Sequence, residues 1–91
     1  MTAYCVRCLD PEGKVVDFGS GIGPYGEERH LTEEAAIEEM ACLVKRDLNF
    51  PRANAEPKGP LSTTIDAGEY GSWVYTVVPT PAGVDAFGWV E

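Results

Sequence analysis

Two cysteines near the start of the chain, Cys5 and Cys8, form a C-x-x-C pair that is typical of half a zinc site or of a redox couple. A zinc site needs two further ligands, and the remaining candidates, His30 and Cys42, are widely separated in the sequence. A thioredoxin-like redox pair lies at the N-terminus of a helix. This pair lies in a predicted strand and not at the start of a helix, and no second pair of ligands is evident. Neither a redox couple nor a zinc site therefore has the setting that it requires.

A hairpin is predicted around these cysteines, with strands over residues 3–9 and 14–18 and a turn at residues 10–13. Pro11 favours the first turn position, and Gly13 can adopt a positive φ, which suggests a type I turn closed by a bulge. The register that follows pairs Asp10 with Lys14, Leu9 with Val15, Cys8 with Val16, Arg7 with Asp17 and Val6 with Phe18.

That register places Cys5 and Cys8 on opposite faces of one strand, because side chains alternate along a strand. Three residues of extended chain also separate them by about 10 Å, too far for a disulfide or a shared metal. We therefore expect no metal and no cofactor, and we expect Cys8 to be a small core residue. The predicted core face comprises Tyr4, Val6, Cys8, Val16 and Phe18.

The sequence gives little support for a catalytic or nucleotide-binding motif. Residues 21–26 read G-x-G-x-x-G, but the dinucleotide fingerprint opens directly into a helix within a parallel βαβ unit, and here residues 27–32 intervene. His30 is the only imidazole base, and nothing in the sequence places a nucleophile beside it. We predict that the protein is not an enzyme.

The acidic run between residues 27 and 39 departs most from an average composition, with only Arg29 to offset its glutamates. It is either a solvated helix face or a carboxylate array that binds Arg and Lys sites on a basic groove. If the acidic run is a carboxylate array, Tyr25 and Trp73 are the next candidates for contact with the partner. The predicted partner-binding carboxylates are Glu27, Glu28, Glu33, Glu34, Glu38 and Glu39.

Aromatic residues mark the end of the chain. Trp73 and Tyr75 share one face of a predicted strand, Phe87 and Trp89 share one face of the next, and valines alternate with them. One alternative places the aromatics in the core with half-exposed valines. The other exposes the aromatic face to a partner or to a second copy, which would make a homodimer through the final hairpin.

One helix is predicted over residues 33–48. Thr32 is a good N-cap, acids follow it, and basic residues lie in the last turn. Residues 51–60 contain three prolines and predict an extended loop, whereas residues 61–66 predict a short strand. The buried stripe of the helix is predicted to comprise Ile37, Met40, Ala41, Val44 and Leu48.

Strands at residues 72–78 and 84–90 complete the order ββαβββ, or ββαββ without the strand at 61–66. The predicted fold class is α+β, a single antiparallel sheet of 4–5 strands with one helix packed on a face. Ninety-one residues predict a single domain, residues 1–91.

Charge and composition narrow the class of partner. The net charge is −8, from fifteen acidic residues against seven Lys and Arg, which disfavours direct nucleic-acid binding. No apolar run approaches a membrane span, and no signal peptide is readable. An odd number of cysteines without an export signal favours reduced thiols and a cytoplasmic setting.

The sequence therefore predicts a small acidic, non-enzymatic binding protein, an inhibitor or adaptor whose carboxylates engage the basic surface of a nucleic-acid-handling protein. In size and charge the chain is similar to small acidic phage proteins that act against host defence, anti-CRISPR proteins included. Two alternatives stay open. One is a zinc- or small-ligand-binding module that uses Cys5, Cys8, His30 and Cys42, and the other is an oligomerising structural subunit.

Overall fold

The computed structural model describes residues 3–16, 29–49, 53–81 and 83. Within these residues one antiparallel four-stranded sheet carries one helix on a face, which confirms the predicted α+β fold. The strands lie in the spatial order β1-β4-β3-β2. The elements in chain order are β1 (Tyr4–Leu9), α1 (Glu33–Asp47), β2 (Asn54–Gly59), β3 (Ser62–Asp66), a 3₁₀ turn (Gly68–Tyr70) and β4 (Ser72–Pro79).

The helix begins where the sequence predicts. Thr32 has an extended backbone, and its hydroxyl oxygen accepts a hydrogen bond of 3.2 Å from the amide of Ala35, which satisfies one of the free donors of the first turn. Leu48 caps the other end, where its amide donates to the carbonyl of Val44. The N-cap chemistry therefore fixes where α1 starts.

The buried stripe of α1 differs in part from the predicted one. Met40 is buried, and Ile37 and Val44 pack against the core as expected. Ala41 and Leu48 are exposed, so the prediction was wrong for these two. Ala36, fully buried, takes their place, because a small residue lets a helix approach the sheet closely and because a period of 3.6 residues allows either alanine to join the stripe.

The turn after β1 has the predicted register, but the described residues 14–16 form only an isolated bridge at Val15 and not the predicted strand, so the described elements follow the order βαβββ rather than ββαβββ. Leu9 pairs with Val15, the amide of Asp10 donates to the carbonyl of Lys14 at 2.8 Å, and Gly13 has φ +85°. The carboxylate of Asp10 organises the turn by accepting from the amides of Glu12 and Lys14. The predicted pairs that involve Asp17 and Phe18 lie outside the described residues.

Residues 51–60 were predicted to form a loop, and this was wrong for β2. Asn54–Gly59 is a strand that pairs with β3, and its register shifts between Pro57 and Gly59. It lies at an edge of the sheet, where a proline costs no ladder hydrogen bond when its nitrogen faces away from the neighbouring strand. Pro57, the proline within β2, therefore indicated an edge strand rather than a loop.

The core lies between α1 and one face of the sheet. On β4 this face carries the buried side chains of Tyr75 and Val77, with Trp73 packed against them. Val74 and Val78 point to the other face and are half-buried. The interpretation of the aromatics as core residues is thus confirmed for β4, whereas Phe87 and Trp89 lie outside the described residues.

Candidate functional site

A cavity of about 850 Å³ opens between the end of α1, the start of β4 and the 3₁₀ turn that precedes it. We call it the Trp73 cavity. A volume of this size lies within the range of small-molecule and peptide sites, roughly 300–1,000 Å³. The described residues that line it are Cys8, Val16, Asp47, Ala53, Ile65, Ala67, Glu69, Tyr70, Trp73 and Tyr75.

The inner wall of the cavity is built around a hydrogen bond between two elements. The hydroxyl of Tyr75 on β4 donates to Oδ2 of Asp47 in the last turn of α1, at 2.6 Å. Arg46 lies beside this pair, with its Nε 3.4 Å from Oδ1 of Asp47 and its Nη2 3.5 Å from the Tyr75 oxygen. Both contacts of Arg46 are long, and its side chain is 64% exposed, so the guanidinium is weakly held.

The outer wall is the 3₁₀ turn. Oδ1 of Asp66, at the end of β3, accepts a hydrogen bond of 2.9 Å from the amide of Gly68, whose φ of +63° reverses the chain. The amide of Ala67 then donates to the carbonyl of Gly71 at 2.9 Å and closes the turn. This geometry places Glu69 and Tyr70 at the mouth of the cavity, where Tyr70 is 72% exposed.

Two ionisable side chains of the cavity lining, Cys8 and Tyr75, are held in their neutral forms. Burial, reinforced by the negative charge of Asp47, raises the pKa of the Cys8 thiol to about 11. Burial and the hydrogen bond to Asp47 also raise the pKa of Tyr75. At neutral pH the cavity therefore offers a thiol and a phenol rather than a thiolate or phenolate nucleophile.

The residues of the zinc alternative are dispersed in the structure. Cys8 faces the core beneath α1, whereas Cys5 is fully buried on the opposite face of β1, as the register predicted. Cys42 is exposed on α1, and Nε2 of His30 lies 3.3 Å from Oε1 of Glu39. Among the residues that the structure describes, no group of three or more His, Cys, Asp or Glu side chains is placed to hold a metal ion.

The predicted carboxylate array divides into two kinds of residue. Glu34 and Glu38 are exposed one helical turn apart on the outer face of α1, and Glu33 beside them is half-buried. Glu39 instead faces His30, and its side chain is only 18% exposed. The predicted contacts Tyr25, Glu27 and Glu28 lie outside the described residues.

Of the predicted contacts that fall within the described residues, Trp73 is the one at the cavity, where it packs against the core and lines the wall. Sequence reasoning missed Asp47, Glu69 and Tyr70, because their meeting depends on how α1 crosses the sheet. One feature of the sequence could have indicated this part of the cavity, namely the turn-forming residues 67–71, which bring an acidic and an aromatic residue side by side.

A second, smaller groove of about 450 Å³ runs between α1 and the β2–β3 hairpin. Its walls are almost wholly apolar, with Ile37, Met40 and Val44 on the helix side and Ala55 and Pro57 on the sheet side. Among its described lining residues the polar side chains are Lys45 and Thr63, so it offers fewer polar groups to orient a ligand than the Trp73 cavity.

Comparison with known protein families, with curated proteins and with solved structures gives no match for this chain. Within residues 3–16, 29–49, 53–81 and 83, no helix has both the length and the apolar character needed to cross a membrane.

Proposed function

We propose that this protein is a non-enzymatic binding protein, an inhibitor or adaptor that engages a positively charged surface of a nucleic-acid-handling protein in the cytoplasm. The observation that carries the proposal is the outer face of α1, where Glu34 and Glu38 are exposed on successive turns of a chain with net charge −8. Carboxylates spaced in this way match Arg and Lys side chains that otherwise hold phosphates.

The chemistry of the Trp73 cavity supports a binding role over a catalytic one. Cys8 and Tyr75 are the nucleophilic side chains among the described residues of its wall, and burial raises the pKa of both, so both are protonated at neutral pH. Size and acidity together fit a phage-encoded protein that blocks a host defence enzyme, as anti-CRISPR proteins do.

The test is affinity capture from bacterial lysate with the tagged chain over a series of salt concentrations. The Glu34→Gln/Glu38→Gln variant removes two exposed carboxylates from α1 and should lose the captured protein. The Glu12→Gln/Glu56→Gln variant is the matched control, because it removes two carboxylates of about half to three-quarters exposure that lie elsewhere, each beside a lysine. Binding should also weaken as salt rises, since exposed charges are screened.

The nature of the partner is tested by competition. If the carboxylates occupy a nucleic-acid groove, excess duplex DNA or RNA should displace the captured protein. Equal loss of binding in both double variants, or none in either, would refute a specific role for the outer face of α1. A captured protein that excess nucleic acid leaves in place would refute the nucleic-acid-handling part of the proposal.

A further inference from the structure

We propose that the Trp73 cavity binds the guanidinium group of an arginine side chain, presented together with its neighbouring residues by a chain segment of the partner. This inference rests on the proposed function, because it assumes a basic partner protein, and it names the group that this partner inserts. The observations that carry it are the ring content of the cavity, the sign of its charge and its volume.

The described lining of the cavity contains three aromatic side chains, Tyr70, Trp73 and Tyr75. Aromatic rings attract a cation through the negative potential of their faces, and Trp does so most strongly. A guanidinium is planar and weakly hydrated, so it stacks on rings at a lower desolvation cost than an ammonium. The ring content of the cavity therefore favours arginine over lysine.

Among the described residues of the lining, both charged side chains are acidic. Asp47 lies at the inner wall and Glu69 at the mouth, and the described residues of the lining include no Lys, Arg or His. Oδ2 of Asp47 is bound to Tyr75, whereas the polar contact that Oδ1 makes within the described part of the chain is the long 3.4 Å one with Arg46. Oδ1 is therefore the acceptor that a guest guanidinium would take, since charge-assisted bonds to carboxylate are normally shorter.

A guest guanidinium would replace the contact that Arg46 makes with Asp47. Its guanidinium already lies against the Asp47–Tyr75 pair from outside, and its side chain is not part of the cavity wall. A guest that approaches from inside the cavity would compete with it for the same carboxylate. Removal of Arg46 should consequently strengthen guest binding.

The volume indicates a chain segment rather than an isolated side chain. About 850 Å³ is far more than one arginine side chain fills, and it is sufficient for a drug-sized ligand or a short peptide. The apolar part of the wall, which includes Val16, Ala53 and Ile65, would cover the residues that flank the arginine. A free small cation would leave this wall in contact with water.

The experiment titrates the full chain, labelled with ¹⁵N, with capped Ala-Arg-Ala peptide and follows the amide signals of Ala67, Glu69 and Tyr70 by NMR. Capped Ala-citrulline-Ala is the matched probe, because citrulline keeps the shape of arginine without its charge. We expect the arginine peptide to shift these signals and the citrulline peptide to bind at least about fivefold more weakly. Equal binding of the two peptides would overturn the proposal.

Exposed variants test the site without threatening the fold. Glu69→Gln and Tyr70→Ala should each weaken the arginine peptide by about threefold, and Arg46→Gln should strengthen it. The matched controls Glu56→Gln and Leu31→Ala change an exposed acid and an exposed apolar residue elsewhere and should leave binding unchanged. Weaker binding by Arg46→Gln, or wild-type binding by both Glu69→Gln and Tyr70→Ala, would overturn the assignment.

The two proposals fail in different ways. If the peptide does not bind but capture still depends on Glu34 and Glu38, the arginine site is wrong and the proposed function stands. If the peptide binds but capture does not depend on these carboxylates, the outer face of α1 is not the partner surface. If N-acetyl-arginine methylamide binds as tightly as the tripeptide, the flanking residues do not contribute to binding. The ligand is then not a chain segment.

Discussion

The hydroxyl of Tyr75 donates a 2.6 Å hydrogen bond to Oδ2 of Asp47, and this bond joins the middle of β4 to the last turn of α1. Tyr75 is buried in the core, whereas the Asp47 side chain is 18% exposed. One polar contact thus fixes the position of the helix end over the sheet and forms the inner wall of the Trp73 cavity.

Replacement of Tyr75 by Phe should lower the free energy of unfolding by about 1–2 kcal/mol, because Asp47 loses a donor in a partly buried position. Urea unfolding followed by circular dichroism would measure the change. Tyr70→Phe is the matched control, since Tyr70 is 72% exposed, and it should change stability by less than about 0.5 kcal/mol. Equal effects of the two variants would show that the bond contributes nothing.

The stability of the fold should decrease as the pH rises above about 9. Burial raises the pKa of Cys8 from 9.0 to about 11, so between these values the unfolded state releases a proton that the folded state retains. The unfolded state then binds fewer protons, and the free energy of unfolding falls by at most about 1.4 kcal/mol per pH unit for one such group.

Measurement of urea unfolding at pH 8, 9, 10 and 11 would test this sign and window. In Cys8→Ala the free energy of unfolding should fall less steeply between pH 9 and 11. Part of the remaining pH dependence comes from Tyr75, whose pKa is also raised. Cys42→Ala removes an exposed thiol instead and should keep the original slope. A slope that Cys8→Ala leaves unchanged would contradict the assignment.

Only one of the three thiols should react quickly with a disulfide reagent in the folded protein. Cys42 is exposed on α1, whereas Cys5 and Cys8 are 0% and 4% exposed. A colorimetric thiol assay at neutral pH should therefore show one fast equivalent per chain, and all three in denaturant. Cys42→Ser should abolish the fast phase, and a fast phase that persists in this variant would place Cys5 or Cys8 at the surface.

The hairpin register and the helix cap were predictable from the sequence because both depend on local chemistry. Pro11 and Gly13 fix the turn, and Thr32 supplies the cap oxygen within three residues of the amide it binds. The opposite faces of Cys5 and Cys8 then follow from strand alternation alone.

The cavity was not predictable, because it depends on distances between elements. Asp47 and Tyr75 are 28 residues apart, and nothing in either segment encodes that the helix end meets the middle of β4. The β2 strand was missed for a related reason, since whether a proline such as Pro57 is tolerated depends on the place of its strand in the sheet. Glu39 was assigned to the carboxylate array because its contact with His30 across nine residues is also tertiary.

Gly71 should tolerate substitution much less well than Gly68, although both have positive φ, +94° and +63°. A Cβ at Gly71 would lie 2.7 Å from Cβ and Cγ of Pro11, whereas a Cβ at Gly68 would meet nothing within 4 Å. Gly68→Ala should therefore cost only its backbone strain, about 1 kcal/mol, whereas Gly71→Ala should cost about 1–3 kcal/mol for the clash in addition to its own strain, since φ +94° with ψ −161° is a conformation that few residues other than glycine adopt.

A double-mutant cycle separates the clash from the strain. Pro11→Gly removes both atoms that a Cβ at Gly71 would meet, so Gly71→Ala should cost about 1–3 kcal/mol less in that background than in the wild type. Urea unfolding of the wild type, the two single variants and the double variant gives the coupling energy directly. If Gly71→Ala costs the same with and without Pro11, the turn after β1 does not pack against the start of β4, and the clash plays no part in its cost.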